Sequence, residues 1–210
     1  MAKLKGPLFS LGASGQLGKA IVYLPWKGLD LAREYVVPAN PKTALQVAHR
    51  AFLTAAVAMV HTAQADATHP MTSADQVAYS ALASAKGKIM TWFNQAVKLF
   101  IDVAVAVKTS VVYAGGVTTD PTTDNFTCYL YFYEETASDM AAGKFYFGTS
   151  KTNLINSEAA DINPGSYVYI NAADLSAFLT AGVKYYWQFR PDVGDPCEGA
   201  NSGIYNFVAD

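Results

Sequence analysis

The sequence predicts an α+β chain of several parts: a glycine-rich arm or hairpin over residues 1–37, a module of about three helices over 38–104, and an all-β sandwich over 105–210. Three observations lead to this prediction. Glycine punctuates the first part, apolar residues recur at helical spacing in the second, and they alternate at every second position in the third. Ten of the 13 tyrosines also follow residue 110, and tyrosine favours strands.

The first part is too rich in glycine to be helical. Glycines at positions 6, 12, 15, 18 and 28 surround a short apolar run at residues 20–24, AIVYL. This pattern indicates turns that join a pair of strands, or an extended arm. The stretch GASGQLG resembles a phosphate-binding loop but lacks the Gly-Lys-Ser/Thr ending, so hairpin turns are the favoured interpretation.

The first helix of the second part is predicted from its start signal and its apolar face. Asn40 is a strong N-cap residue, and Pro41 suits the first helical position because it has no N–H to satisfy. The helix should then run to about Ala65. Six residues at helical spacing form its apolar face: Leu45, Ala48, Phe52, Ala55, Ala56 and Met59.

Two further helices follow. Ser73 with Gln76 three residues later predicts a capping box for a second helix that Gly87 ends. Thr91 can cap a third, whose apolar face begins with WF at residues 92 and 93. The many alanines in this part indicate close contact between helices.

The third part shows strand periodicity in short runs separated by turn-rich segments. The runs include CYLYFYEE, GKFYFGTS, SYVYI and KYYWQF. In the first run the alternation places three tyrosines, Tyr129, Tyr131 and Tyr133, on one face of a strand. The other face carries Cys128, Leu130 and Phe132. One of these two faces must belong to the core.

Residues 179–185, LTAGVKY, resemble the L-x-P-G-x-x-Y signature of fibronectin type III domains, with Ala181 in place of the proline. The resemblance implies a fibronectin III/Ig-like sandwich. It also implies that the Tyr185 hydroxyl bonds back to the backbone across a corner between the sheets. Residues 186–190 would be the next strand, and residues 203–208 the closing strand.

Residues 6–60 resemble uncharacterised proteins of bacteriophage, prophage and environmental viral sequences. The shared features are a glycine-rich hairpin ending in Trp-Lys-Gly, then Arg33, then a helix start of the pattern PxNPxTxxQxxxR. The pattern is carried here by Pro38, Asn40, Pro41, Thr43, Gln46 and Arg50. This resemblance implies a structural protein of a virion or mobile element and brings no catalytic activity with it.

Composition favours an assembling protein. Charged residues make up only 15% of the chain, so part of the surface is expected to be covered by a partner. Residues 1–108 carry a balance of +6 and residues 109–210 a balance of −8, which suits head-to-tail packing of copies. Nucleic acid is not an expected partner, because only Lys86 and Lys88 approach a basic cluster.

The lack of a recognisable signal peptide leads us to expect a cytoplasmic protein, and this bears on the state of its two cysteines. The start MAKLKGPLFS lacks the apolar core of a signal peptide, and the apolar stretches are far shorter than the roughly 20 residues that cross a bilayer. We therefore expect synthesis in the cytoplasm, no membrane span, and a final place in a virion or assembled particle. Cys128 and Cys197 either form one disulfide or stay reduced, and a cytosolic chain favours the thiols.

No catalytic, cofactor or metal site is predicted. The three histidines, His49, His61 and His69, lie in or beside the first helix, and no nucleophile motif accompanies them. Two acidic loop clusters lack the spacing of a dedicated calcium loop, so they are predicted to be exposed contact surfaces at one end of the sandwich. Their residues are Glu134, Glu135, Asp139, Asp192, Asp195 and Glu198.

Trp26, Arg33 and Arg50 are the candidates for assembly contacts, since aromatic residues and arginines are enriched at interface hot spots. Packing of the arm on the chain's own helices is the alternative for these residues. The favoured function is a structural subunit of a phage-like particle or filament, which contacts copies of itself and other subunits through the arm and helices. The alternative is a receptor- or carbohydrate-binding module on a virion or cell surface, because aromatic side chains stack on sugar rings.

Overall fold

The computed structural model describes residues 2–3, 15–27, 29–37, 39–40, 42–119, 127–134, 140–170 and 179–209. These residues contain three helices and three antiparallel sheets, so the chain is α+β as predicted. The chain divides into two compact units, residues 1–43 and residues 44–210. The predicted boundary near residue 104 is not a boundary between compact units, because the helices and the sandwich lie in the same one.

The first unit contains one antiparallel sheet of short strands. They are β1 (Ala2–Lys3), β2 (Gly15–Leu17), β3 (Ile21–Trp26) and β4 (Leu29–Glu34), in the order β1-β4-β3-β2. The predicted apolar run at 20–24 thus falls mainly in β3, which forms a hairpin with β4. None of the described side chains in residues 15–43 is buried.

The second unit begins with α1 (Ala44–Ala65), α2 (Ser73–Ala85) and α3 (Trp92–Val105). The start of α1 differs from the prediction that placed it at Asn40. Lys42 has φ 48°, in the left-handed region, and a residue in that conformation cannot belong to an α-helix, so α1 starts after it. No helix among the residues with described coordinates is long and apolar enough to cross a membrane.

The caps of α2 and α3 follow the sequence signals closely. The capping box of α2 is formed by Thr72 and Asp75 and not by the predicted Ser73 and Gln76, a shift of one residue. Gly87, at φ 66°, ends this helix as predicted. In α3 the Thr91 side chain accepts a hydrogen bond of 3.3 Å from the backbone N–H of Asn94, which confirms the predicted cap.

Eight strands follow the helices in the part of the chain that the structure describes. The first four are β5 (Val111–Thr119), β6 (Thr127–Glu134), β7 (Gly143–Gly148) and β8 (Asn156–Ala159). The last four are β9 (Asp161–Asn163), β10 (Tyr167–Ile170), β11 (Lys184–Pro191) and β12 (Tyr205–Val208). They form two four-stranded sheets, the first in the order β5-β6-β10-β9 and the second in the order β12-β11-β7-β8.

Both sheets contribute to one hydrophobic core, which makes this part of the chain a sandwich. On β6 the core face is that of Cys128, Leu130 and Phe132, while the alternating tyrosines lie on the outer face. Trp187 on β11 is fully buried, and its indole N–H donates a 3.1 Å hydrogen bond across the core to the Thr118 hydroxyl on β5. The Trp187 ring stacks on Tyr205 at a centroid distance of 4.4 Å.

A second core joins the helices to the outer face of the first sheet. Val112 and Ala114 on β5 pack there with buried residues of all three helices, including Ala56, Tyr79 and Phe100. This shared core explains why residues 44–210 form a single unit. The helices therefore cover only the half of the outer face that includes the beginning of β5.

Cys128 and Cys197 are buried free thiols, so the disulfide raised as an alternative does not form. The fold keeps them at opposite ends of β5. Pro196, next to Cys197, accepts a hydrogen bond from Thr109 just before β5, whereas Cys128 pairs with Thr118 near the end of that strand. At about 3.3 Å per residue, the nine residue steps from Thr109 to Thr118 span up to roughly 30 Å, and a disulfide needs Cα atoms about 6 Å apart.

Candidate functional site

Four tyrosines lie side by side on the part of the first sheet that the helices leave uncovered. Tyr129 is opposite Tyr169 and Tyr131 is opposite Tyr167, because β6 and β10 are antiparallel neighbours in this register. All four side chains are half-buried. We call these four residues the tyrosine face.

The four rings are in mutual contact. The Tyr129 and Tyr169 rings lie 5.6 Å apart and within 15° of parallel, and Tyr167 lies 5.7 Å from Tyr131 and 5.9 Å from Tyr129. Cross-strand aromatic pairs of this kind stabilise a sheet. Here they also produce a continuous aromatic surface with four phenolic hydroxyls.

The loop between α1 and α2 borders the tyrosine face on one side. His69 stacks on Tyr131 with a centroid distance of 3.4 Å, and the Tyr133 hydroxyl donates a 2.7 Å hydrogen bond to the His69 carbonyl oxygen. The loop is held by Asp66, whose carboxylate accepts hydrogen bonds from the backbone N–H groups of His69 and Thr68. These bonds lower the pKa of Asp66 below its ordinary value.

A cavity of about 340 Å³ opens between this loop and the tyrosine face. The volume of this cavity is at the low end of the range of about 300 to 1,000 Å³ that is usual for small-molecule sites. Its lining combines ring faces with small polar groups. The lining residues are Thr68, His69, Pro70, Thr72, Gly115, Val117, Tyr129 and Tyr131.

The opposite border of the tyrosine face is polar. On β9, Asp161 is the partner of Tyr169 and Asn163 the partner of Tyr167, and both side chains are exposed. Because Asp161 pairs with Tyr169 across the strands, its negative charge raises the pKa of Tyr169 above its ordinary value. The tyrosine face is therefore bordered by His69 on one side and by the Asp161 carboxylate and the Asn163 amide on the other.

A buried carboxylate holds α2 against the sandwich and so fixes this arrangement. The Asp75 side chain, which is fully buried, accepts hydrogen bonds from the backbone N–H groups of Gly115 and Gly116 and from the Tyr205 hydroxyl. Gly115 has φ 63° and lies in a bulge of β5, a conformation that glycine adopts readily. The bulge turns both N–H groups toward Asp75.

Tyr79 on α2 protects the free edge of β5. Its hydroxyl donates to the Tyr113 carbonyl oxygen at 3.1 Å and accepts from the Tyr113 N–H at 3.0 Å. These are the two backbone groups that a neighbouring strand would otherwise pair. Burial raises the pKa of Tyr79 well above its ordinary value, so the hydroxyl stays protonated.

The assembly candidates fall into both units. In the first unit, Trp26 ends β3 beside the hairpin turn and is 58% exposed, while Arg33 is exposed near the other end of the hairpin. Arg50 is exposed on α1 in the second unit. The two residues of the first unit therefore do not form one cluster, and each lies on its own part of the surface.

Large apolar side chains are exposed both in the first unit and on α1. In the first unit they are Leu17, Ile21, Trp26, Leu29, Val36 and Val37, and on α1 they are Leu45, Val47 and Leu53. Leu45 belongs to the predicted apolar face of α1 but is 76% exposed, and the first buried residue of that helix is Ala56. The face is therefore used for internal packing only in its C-terminal half.

Among the described acidic loop candidates, Asp195 has a different role from the one predicted. Asp195 is buried, so it is not an exposed contact residue; its carboxylate accepts hydrogen bonds from the backbone N–H groups of Ala141, Ala142 and Cys197. Asp192 is half-buried, and Glu198 forms an ion pair of 3.3 Å with Lys108.

The other acidic cluster lies outside the described side chains, since Glu135 and Asp139 have no described position and only the backbone of Glu134 is described. Within the described residues no group of three or more His, Cys, Asp or Glu side chains is arranged to hold a metal ion. His49 and His61 both lie on α1, where His61 contacts Gln64 and Phe93. Sequence reasoning missed Asp75 and His69 as organising residues, because their partners on the sheets are 40 or more positions away in the chain.

Comparison of the chain with protein-family models, curated protein sequences and solved structures finds no match.

Proposed function

We propose that the chain is a structural subunit of a phage-like particle or filament, which assembles through its first unit and α1 and leaves the sandwich exposed. The observation that carries this proposal is the set of exposed apolar side chains on these two parts of the chain. Exposed apolar side chains that are grouped on one part of a surface mark interaction sites. The proposal gives the chain no catalytic activity, and its partners are copies of itself and other subunits.

The sheet of the first unit supports the proposal because its described side chains form no core. None of its described side chains from residue 15 onward is buried, and Trp26 and Leu29 pair in register at the hairpin end. An isolated sheet that buries no apolar face is marginally stable in water. Contact with another copy of the chain would bury these side chains and stabilise the sheet.

The first half of α1 supports it in the same way. Leu45, Val47 and Leu53 are each at least 48% exposed, although the same helix is packed into a core at Ala56 and Val60. Helical stability comes mainly from packing of an apolar face. The N-terminal turns of α1 therefore offer an apolar surface to a partner, with Arg50 exposed among these residues.

For the sandwich we propose a fibronectin III/Ig-like fold. Two observations support it. The sheet orders β5-β6-β10-β9 and β12-β11-β7-β8 match the A-B-E-D and G-F-C-C′ orders of that architecture. The Tyr185 hydroxyl, at the start of β11, accepts a 3.0 Å hydrogen bond from the backbone N–H of Thr180, as a tyrosine corner requires.

Size-exclusion chromatography with light scattering, followed by negative-stain electron microscopy, tests the assembly proposal. We expect the purified chain to form oligomers or particles. Trp26→Asp and Leu53→Asp should each reduce the assembled mass, because a charge in an apolar contact must be desolvated. Val193→Asp is the matched control, since Val193 is 92% exposed in a loop of the sandwich.

A wild-type chain that remains monomeric at high concentration would contradict the proposal. So would full assembly of both the Trp26→Asp and Leu53→Asp variants.

A further inference from the structure

The uncovered half of the first sheet differs chemically from the rest of the surface. The helices pack on Val112, Ala114 and Tyr133, whereas the half-buried rings of the tyrosine face beside them belong to neither core. Large aromatic side chains are usually covered in a folded chain, because each carries a large apolar area. Four of them grouped on one open face suggest a ligand that uses ring surfaces.

The four hydroxyls of the tyrosine face are available for hydrogen bonding. Among the residues that the structure describes, none of the four has a hydrogen-bond partner, whereas Tyr79, Tyr133, Tyr185 and Tyr205 all do. Each free phenol can donate one hydrogen bond and accept others. The face therefore offers flat apolar rings together with polar groups at their edges.

We propose that the tyrosine face, with His69 at one border and Asp161 and Asn163 at the other, is a binding site for neutral glycans built of hexopyranose units. The C–H groups of the flat side of a pyranose ring carry partial positive charge, and they pack on the negative face of an aromatic ring. The sugar hydroxyls at the ring edge match the tyrosine hydroxyls and the side chains of β9. Carboxylate and amide groups accept and donate to several hydroxyls at once.

Charge selects a neutral glycan over an acidic one. The chain has no lysine or arginine between Lys108 and Lys144 or between Lys151 and Lys184, and these two stretches include all four strands of the first sheet. The four basic residues after position 108 lie instead on β7, on β11 and in the loop that follows β7. A uronate or sialate would meet Asp161 with no lysine or arginine on the strands of the first sheet to compensate its charge, at a cost in binding free energy.

The dimensions favour more than one sugar unit. Neighbouring rings of the tyrosine face are 5.6 to 5.9 Å apart, and Tyr131 continues the surface to His69. The cavity of about 340 Å³ at His69 takes one end of the ligand. A proline-rich peptide is the competing ligand for an aromatic surface, but proline has no N–H to donate to the Asp161 carboxylate, whereas each sugar unit carries several hydroxyls.

The test is a microarray of neutral hexose oligosaccharides, such as gluco-, manno- and galacto-oligosaccharides, beside polygalacturonate and sialylated glycans, probed with the full chain. Isothermal titration calorimetry with the best neutral oligosaccharide then measures affinity. We expect binding to neutral glycans only. Tyr169→Ala and Tyr131→Ala should each weaken it at least about tenfold, a loss of about 1.4 kcal/mol.

Three further variants serve as controls for this test. Tyr146→Ala is the matched control, because Tyr146 is also half-buried on a strand but lies on β7 of the second sheet, under the Arg190 guanidinium. Tyr169→Phe keeps the aromatic ring and should bind the oligosaccharide with most of the wild-type affinity. This variant tests the site even where the Tyr169→Ala variant folds poorly. Leu53→Asp should bind oligosaccharide as the wild type does, which separates this site from the assembly proposal.

Several results would overturn the inference: no neutral glycan bound, a preference for the acidic glycans, or unchanged affinity in both alanine variants. Binding of a proline-rich peptide at this face in place of every oligosaccharide would also overturn it.

Discussion

The Asp75 carboxylate, in the first turn of α2, accepts a 2.7 Å hydrogen bond from the hydroxyl of Tyr205, which lies 130 residues later at the start of β12. The same carboxylate binds the bulge of β5, so one buried side chain links a helix to an edge strand of each sheet. Its negative charge is balanced by donors and by the helix N-terminus. Loss of this link should loosen the border of the tyrosine face.

Asp75→Asn should destabilise the protein by at least about 2 kcal/mol, because a donor would replace one acceptor in a site made of donors. Oδ1 faces the Gly116 N–H, and Oδ2 faces the N–H groups of Thr72 and Gly115. Whichever oxygen becomes NH₂, it meets at least one backbone N–H. Denaturant unfolding followed by circular dichroism measures the change in the free energy of unfolding.

Asp102→Asn on α3 is the control for this prediction, since Asp102 is an exposed carboxylate whose ion pair with Lys98 is on the surface. Surface pairs of this kind contribute little to stability. Equal stability of the Asp75→Asn and wild-type proteins would show that the buried hydrogen bonds do not hold α2 in place.

Both cysteines should resist thiol reagents in the folded protein. Cys128 and Cys197 are fully buried, and burial raises the pKa of the Cys128 thiol well above its ordinary value, so little reactive thiolate forms. We expect almost no reaction with dithionitrobenzoate at pH 8 and two thiols per chain after denaturation without reductant. A count of zero after denaturation would instead reveal a disulfide.

Glu198 should make stability depend on pH in the acid range. The pKa of its carboxyl is lowered, first by the hydrogen bond from the Gly194 N–H and then by Lys108. A lowered pKa in the folded state stabilises the protein above the ordinary value of about 4.5, and this contribution is lost as the pH falls through the folded pKa. Glu198→Gln should therefore lower stability at pH 7 and have no effect at strongly acidic pH.

The pH prediction is checked by thermal unfolding of both proteins from pH 7 down to pH 2. Glu158→Gln on β8 controls for the loss of one negative charge. A stability difference that stays constant across this range would contradict the assignment of the shift to Glu198.

Local signals in the sequence were sufficient where structure depends on neighbouring residues. The Thr91 cap, the end of α2 at Gly87 and the strands with period two were all predicted, because caps, turns and alternation involve residues a few positions apart. Prediction failed at the start of α1, where the left-handed conformation of Lys42 is not encoded by a recognisable signal.

By itself the sequence determined the α+β class, the approximate positions of the helices, and the grouping of Tyr129, Tyr131 and Tyr133 on one face of β6. Only the tertiary structure decided that the helices share a core with the first sheet and which tyrosines remain uncovered. It also decided that Asp75 and Asp195 are buried and that the cysteines are far apart. These features depend on contacts between residues distant in the chain, which no local pattern of composition or spacing records.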